Sequence, residues 1–155
     1  MQKYCLGFIF SEDFSDILLV KKIHTPKNAK FLLNKLNGIG GHVENDESSL
    51  EAMGRECYEE TGIRNCKFIE FASLRAKFGY VDCYYTVTND IYFYVKKEDE
   101  PLKIYSVNPF NGARDYNWYQ DFNPVANLLY LIPMALNHIQ KKDLTDVFII
   151  TETYK

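Results

Sequence analysis

The sequence predicts one domain that combines helices with a β-sheet, of α/β or α+β class. Three observations carry that reading. The chain has 155 residues, enough for a single core and too few for two comfortable domains. Aromatic residues make up 15% of it, with 12 Tyr and 11 Phe, a composition that suits pleated, half-buried strands. Two stretches also carry helix-start signals: the capping box Ser48-Ser49-Leu50-Glu51, and the pair Asn123-Pro124, an N-cap residue followed by proline at the first helical position.

The elements follow in order. Residues 2–10 and 16–23 are apolar runs separated by the polar turn SEDFSD, and read as two strands. Residues 24–36, with Pro26, Asn28 and several lysines, read as a loop, followed by the Gly-rich, acidic stretch NGIGGHVENDESS. The capping box opens a helix that runs to about Thr61 and stops at Gly62, a favoured residue just past a helix end. Gly54 costs that helix roughly 1 kcal/mol against Ala, which points to close packing there or to a tolerated poor residue. Residues 66–78 and 83–96 are rich in Phe, Tyr, Val and Ile and read as strands, with a charged turn from Lys96 to Pro101. Residues 102–114 read as an irregular loop and residues 117–120 as a short strand. The second helix is expected from Asn123-Pro124 to about Gln140, with a kink or restart at Pro133, and residues 146–154 close the chain as a strand. With no repeat and no linker, residues 1–155 are expected to be one domain.

Charge and cysteine usage narrow the function classes. A net charge of -3 and a pI near 5.6 argue against a broad electrostatic grip on nucleic acid. A local site for a small phosphorylated ligand remains compatible with that balance. Cys5, Cys57, Cys66 and Cys83 form no CxxC and have no histidines at zinc spacing, so they are expected to be buried free thiols of a reducing compartment. The apolar stretches Cys5–Phe10 and Val125–Ile139 are too short for a signal peptide core and a membrane span respectively. The expected protein is cytoplasmic, a monomer or homodimer, with no membrane partner.

The chemistry concentrates between Gly41 and Ile63. On a helix, Glu56, Glu59 and Glu60 can project from one face. Like charges at these spacings repel, and a cation between them reverses the sign; an all-oxygen cluster suits Mg²⁺ or Mn²⁺. Gly40-Gly41 allow close backbone approach just before the helix. Arg55 can pair with Glu47 or Glu51.

This stretch resembles the Nudix box: Gly41, five residues, Glu47, seven residues, then Arg55, Glu56, Cys57, Glu59, Glu60, Gly62 and Ile63. Cys57 is the soft departure, where an aliphatic residue is usual. The resemblance to the Nudix hydrolase superfamily implies a MutT-like α/β/α sandwich around a mixed sheet, with the box as loop-helix-loop. It implies Mg²⁺-dependent hydrolysis of a nucleoside diphosphate linked to a moiety X, with Mn²⁺ as a substitute. It further implies Glu56 and Glu60 as principal metal ligands, Glu59 assisting, the Gly40 carbonyl as another ligand, and a buried Glu47–Arg55 pair locking loop to helix. The general base is a box carboxylate or Asp115, three residues before Trp118.

For the substrate, LNGIGG is most similar to the oxidised-purine nucleoside triphosphatases. That likeness places Asn37 at the base edge, Phe31 in the base pocket, Lys22 near the nucleotide and Asn127 at the start of the second helix, where the group has an acid. Asn for that acid departs from the group and weakens the expectation of an oxidised base. A purine nucleoside triphosphate, cleaved to monophosphate and pyrophosphate, is the expected substrate. Tyr80, 17 residues after the box, keeps a dinucleoside polyphosphate open. A nucleotide sensor without activity would usually lose box carboxylates, and this chain keeps all three.

Overall fold

The computed structural model describes residues 1–111, 122–141 and 147–152. Among them seven strands form one mixed sheet, β1 (Gln2–Phe10), β2 (Asp16–Lys21), β3 (Leu36–Asn37), β4 (Ile69–Ala76), β5 (Gly79–Val87), β6 (Leu102–Ser106) and β7 (Phe148–Thr151). Two helices pack on it, α1 (Ser49–Thr61) and α2 (Leu128–Gln140), and three short 3-10 turns connect elements. The main strand order is β3-β2-β1-β5-β4-β7, with β6 on the remaining edge of β2. β1 runs parallel to β5 and antiparallel to β2, and β4 runs antiparallel to β5 and parallel to β7.

The central strands are apolar on both faces because both faces are covered. Along β1, Cys5 and Ile9 pack with Ala52, Met53 and Cys57 of α1. The alternate residues Leu6, Phe8 and Phe10 pack with Leu128, Leu131 and Ile132 of α2. β2 divides likewise, Leu18 and Val20 to the first side and Ile17 and Leu19 to the second. Strand periodicity thus builds an α/β/α sandwich with two cores, as the sequence predicts.

Helix α1 starts and stops at the expected residues. The Ser48 side chain accepts from the Glu51 N–H, the Glu51 carboxylate accepts from the Ser48 N–H, and Gly62 ends the helix in the left-handed region at φ 73°. Elsewhere tertiary pairing overrides the local reading. Residues 83–96 do not form one strand: β5 begins at Gly79 in register with Gln2 of β1, and ends at Val87. Thr88 Oγ1 then accepts from the Asp90 N–H and opens a 3-10 turn, Asn89–Phe93. The loop expected over 102–114 contains β6, which gains its partners from β2. The loop expected over 24–36 contains a 3-10 turn at Lys27–Leu32.

The second helix starts five residues later than Asn123, at Leu128. The Asn123 carbonyl accepts from the Leu36 N–H and the Val125 N–H donates to the Leu36 carbonyl, so the sheet holds this segment extended before the helix can begin. The helix then continues through Pro133 without the expected restart. The carbonyl four residues earlier belongs to Leu129, on the solvent side of the helix, where water can replace the missing donor. The strand expected at 117–120 lies outside the described residues. No helix among the described residues is long and apolar enough to cross a membrane.

Gly54 faces open space, with no atom within 4 Å of where a Cβ would stand. Close packing is therefore not its reason. Gly54→Ala should stabilise the protein by about 1 kcal/mol, since it adds helix propensity without a clash. Urea unfolding at neutral pH checks this, with an unchanged or lower midpoint as the contrary result.

Candidate active site

The site begins with a segment wedged between two strands. β1 pairs with β2 only near Ile9 and Phe10, and beyond that point the segment from Leu36 to His42 fills the gap. It pairs with β2 through Val20–Asn37 and with β1 through reciprocal Gly7–Ile39 hydrogen bonds and the Cys5 N–H to Gly41 carbonyl bond at 2.9 Å. Gly40 sits at φ 145°, and a Cβ there would lie 2.2 Å from the Cys5 carbonyl oxygen. At Gly41 a Cβ would lie 2.6 Å from Glu56 Oε1. Only glycine lets this backbone lie against both the strand and the carboxylate.

Two cations divide the acidic residues. Arg55 Nε and Nη2 donate to the two oxygens of Glu47, at 3.1 and 2.7 Å. Arg55 Nη1 donates to Glu56 at 2.9 Å and to Glu59 at 3.0 Å, and Nη2 also reaches the His42 carbonyl. Glu51 is occupied by the capping box, so Arg55 takes Glu47. The pair is partly buried, with 27% of the Arg55 and 15% of the Glu47 side chain accessible. The guanidinium fork still holds the Glu47 carboxyl down to about 2.

Lys22 forms the second centre. Its ammonium donates to Glu60 Oε1 and Glu100 Oε2, both at 2.9 Å. Glu60 Oε2 accepts from the Gly40 N–H at 3.1 Å, and Glu100 Oε1 accepts from the Ile23 and His24 N–H groups. Burial pushes the Glu60 carboxyl up to about 7 despite Lys22 and the Gly40 N–H. Burial also raises Glu56, with Arg55 opposing it. Burial alone would lower Lys22, yet Glu60 and Glu100 outweigh it and hold the ammonium charged.

Glu60, Glu98 and Glu100 each offer an oxygen within 4.8 Å of the others. This hard-oxygen set, with a buried carboxyl short of compensating charge, fits a divalent cation such as Mg²⁺ or Mn²⁺. Glu98 and Glu100 escaped the sequence reading because Glu98-Asp99-Glu100 has the composition of any solvated turn. The pairing of β2 with β6 and the bond from the Lys21 N–H to the Pro101 carbonyl bring them beside Lys22.

Glu56, Glu60 and Gly40 line one cleft of about 750 Å³ together with Lys22, Phe31, Asn37 and Asn127. Glu59 does not line it; its side chain is 46% exposed and tied to Arg55. Asp115 and Trp118 lie outside the described residues. Asn37 Oδ1 accepts from the Gly38 N–H at 2.9 Å. Asn127 Oδ1 is buried with no hydrogen-bond partner. Phe31 is half-exposed and its ring packs against Phe78 at 6.1 Å.

The Glu47–Arg55 pair makes a pH-dependent prediction. A carboxyl depressed from 4.5 to about 2 contributes stability that is present above the first value and lost as pH falls through the second. Glu47→Gln should lower Tm at neutral pH, and the gap to wild type should narrow steadily as pH drops below 4.5. Paired thermal melts across that range check it, and a pH-independent gap would refute the ion pair as the cause.

Comparison with known proteins agrees with this geometry. The NUDIX domain family model matches residues 4–120. The fold is similar to MutT studied from Aliivibrio salmonicida and Vibrio cholerae, with 20% identity, a TM-score of 0.60 and coverage of 87% of this chain and 96% of that one. It is similar to a NUDIX-family hydrolase from Clostridium perfringens, with 22% identity, a TM-score of 0.62 and coverage of 88% and 96%. The NUDIX domain of Shewanella oneidensis NrtR, solved with ADP-ribose, aligns at 15% identity and a TM-score of 0.60, over 88% of this chain and 87% of that one. Among curated proteins, none matches the chain. With its wedged glycine segment, capped acidic helix and cluster of carboxylates, this chain belongs to the NUDIX domain family and is a Mg²⁺-dependent pyrophosphohydrolase acting on a nucleotide.

Proposed function

We propose that the substrate is a purine nucleoside triphosphate, cleaved to the monophosphate and pyrophosphate. One observation carries this reading: two amides, an aromatic ring and the box carboxylates Glu56 and Glu60 share a single cleft. Its volume, about 750 Å³, lies within the usual range for small-molecule pockets. The Gly38 N–H occupies Asn37 Oδ1, so the Asn37 NH₂ is left to donate toward a purine acceptor such as N7 or O6. Asn127 Oδ1 is a buried acceptor without a partner, and a base N–H would remove that penalty. Phe31 offers a half-exposed face for stacking.

On this reading Glu56 and Glu60 are the principal metal ligands, with the Gly40 carbonyl, Glu98 and Glu100 completing the set; Glu59 would assist only after leaving Arg55, which holds it outside the cleft. When bound, the cation polarises a phosphoryl oxygen and neutralises developing charge. The protein's own groups position the substrate. Lys22 lines the cleft and holds Glu60 and Glu100; a cation bound by those carboxylates would free its ammonium to meet the phosphates. Arg55 holds Glu56 and Glu59 in place on the rim and keeps their repulsion in check. The proton of the attacking water goes to a box carboxylate that the cation leaves free. Asp115 remains the alternative base on its place in the sequence. Transfer to water is then mostly positioning and charge neutralisation.

Tyr80, the mark for a dinucleoside polyphosphate, does not line the cleft. ADP-ribose, the ligand held by the NrtR domain, belongs in the test panel beside it.

Activity should require Mg²⁺ or Mn²⁺, fall with Zn²⁺ and vanish in excess EDTA. Glu60→Gln should lose on the order of several kcal/mol of transition-state stabilisation while remaining folded by circular dichroism. Full turnover by that variant, or in EDTA, would overturn the ligand assignment.

Asn37 and Phe31 should act on selectivity and affinity rather than on chemistry. Asn37→Ala should compress the ratio of purine to pyrimidine triphosphate kcat/KM, because a buried amide rejects bases that leave it unpaired. Phe31→Ala should weaken all nucleotides alike, by roughly 1–3 kcal/mol if the ring stacks. A panel of canonical and oxidised triphosphates, dinucleoside polyphosphates and ADP-ribose, with products identified, reads both. Unchanged selectivity and affinity in both variants would remove the base from this side of the cleft and favour another substrate.

A further inference from the structure

A second chemistry-bearing pair lies outside the cleft. Cys57 stands on α1, 1% exposed, between Glu56 and the Glu59-Glu60 pair. Cys66 stands in the loop that follows the helix and is partly exposed, contrary to the expectation that all four thiols are buried. The two sulfur atoms are 4.0 Å apart. Cys66 also lines a separate cavity of about 390 Å³, with Arg64, Lys67 and Asp90.

We propose that hydrogen peroxide converts Cys57 and Cys66 into a reversible disulfide, and that this bond slows hydrolysis by displacing the last turn of α1. The cavity admits a small oxidant to Cys66, whereas Cys57 is sheltered and serves as the resolving thiol. The Cys57 thiol beside it draws Cys66 below the ordinary thiol range, against burial and the Asp90 carboxylate. That thiolate attacks one peroxide oxygen, the O–O bond breaks, and the departing hydroxide takes up a proton to become water. Cys66 is left as the sulfenic acid. Cys57 then attacks the Cys66 sulfur; its thiol proton and the sulfenic oxygen leave as a second water, and the S–S bond forms. The two sulfurs together lose two electrons and the peroxide gains them. A dithiol reverses the change and is itself oxidised.

A disulfide is about 2 Å long, so the sulfurs must close by roughly 2 Å from their separation of 4.0 Å. The chain between them is short, and its first half is tied to the helix end. Thr61 Oγ1 accepts from the Ile63 N–H and donates to the Cys57 carbonyl. Cys57 shares its turn with Glu56, Glu59 and Glu60, so the part of the closure that α1 takes up reaches those carboxylates. Cys83 is buried and lines neither cavity, and Cys5, which lines the main cleft, has its Sγ directed at the Gly41 carbonyl rather than at a second thiol.

Trypsin separates the two residues, because Arg55, Arg64 and Lys67 place Cys57 in the peptide 56–64 and Cys66 in the peptide 65–67. The intact enzyme is treated with hydrogen peroxide, alkylated, digested and weighed, and in parallel assayed with Mg²⁺ and its best nucleotide. The expected result is the two peptides joined with the loss of two hydrogens, and a fall of roughly 10- to 100-fold in kcat/KM, the scale of a small misplacement of catalytic groups. Dithiothreitol should restore both thiols and the activity. Cys66→Ser and Cys66→Ala should match wild type before oxidation and resist peroxide. The proposal is overturned if Cys66 gains two or three oxygens while Cys57 alkylates freely, if the joined peptides appear with activity unchanged, or if the Cys66 variants lose activity as wild type does. The peptide masses do not depend on the substrate, so their failure is distinguishable from a wrong nucleotide assignment.

Discussion

The site depends on a backbone with no room for a side chain. Where β1 and β2 part, the segment from Leu36 to His42 takes both sets of freed hydrogen-bonding groups, so neither strand has an open edge there. Gly40 lies against the Cys5 carbonyl, and its N–H points at Glu60. Gly41 lies under the Glu56 carboxylate. The sheet thereby fixes where α1 can dock, and with it the direction of every box carboxylate. A methyl group at Gly40 would need the wedge to withdraw from β1, taking a hydrogen-bond donor from Glu60 and moving Asn37 three residues upstream.

The concentration of acids is made tolerable by dividing them between two cations. Arg55 gathers Glu47, Glu56 and Glu59, using the planar fork that a lysine lacks. Lys22 gathers Glu60 and Glu100. The first group is partly exposed, most of all at Glu59, and solvent shares its charge. The second is buried, where desolvation is costly and one ammonium cannot compensate two carboxylates. The Glu60 carboxyl held up to about 7 is the residue of that imbalance. A divalent cation is the species whose charge would correct it, so the electrostatics and the donor chemistry point the same way.

The helix that carries the acids was legible because its signals are local: Ser48 and Glu51 cap one end and Gly62 the other, and nothing distant alters them. The apolar runs of β1 and β2 were legible for a related reason, since strands covered on both faces need no alternation. What escaped was set by partners far away in sequence. β6 exists because β2 has a free edge, and Asn123–Val125 stay extended because Leu36 binds them. Glu98 and Glu100 escaped with them, since a charged turn becomes part of a site only when a strand pairing carries it to Lys22. Spacing on α1 put Glu56, Glu59 and Glu60 on one face; the i,i+4 bond to Arg55 turns Glu59 out of the cleft.

The same geometry separates what can vary from what cannot. Asn37 sits in β3, in register with Val20, and is only three residues from Gly40, so its position is coupled to the metal-side backbone. Phe31 comes from a 3-10 turn, and Asn127 from the N-cap position of α2, where it makes no capping bond of its own. Neither is part of the wedge. A change at Asn127 or Phe31 can therefore reshape the base pocket while Gly40, Glu56 and Glu60 stay in place. A change at Asn37 leaves that backbone pairing in place but removes the side-chain oxygen that holds the Gly38 N–H, two residues from Gly40. Substrate choice in this fold is thus most freely adjusted from the second helix and the 27–32 turn, with the wedge between β1 and β2 kept as the fixed part of the enzyme.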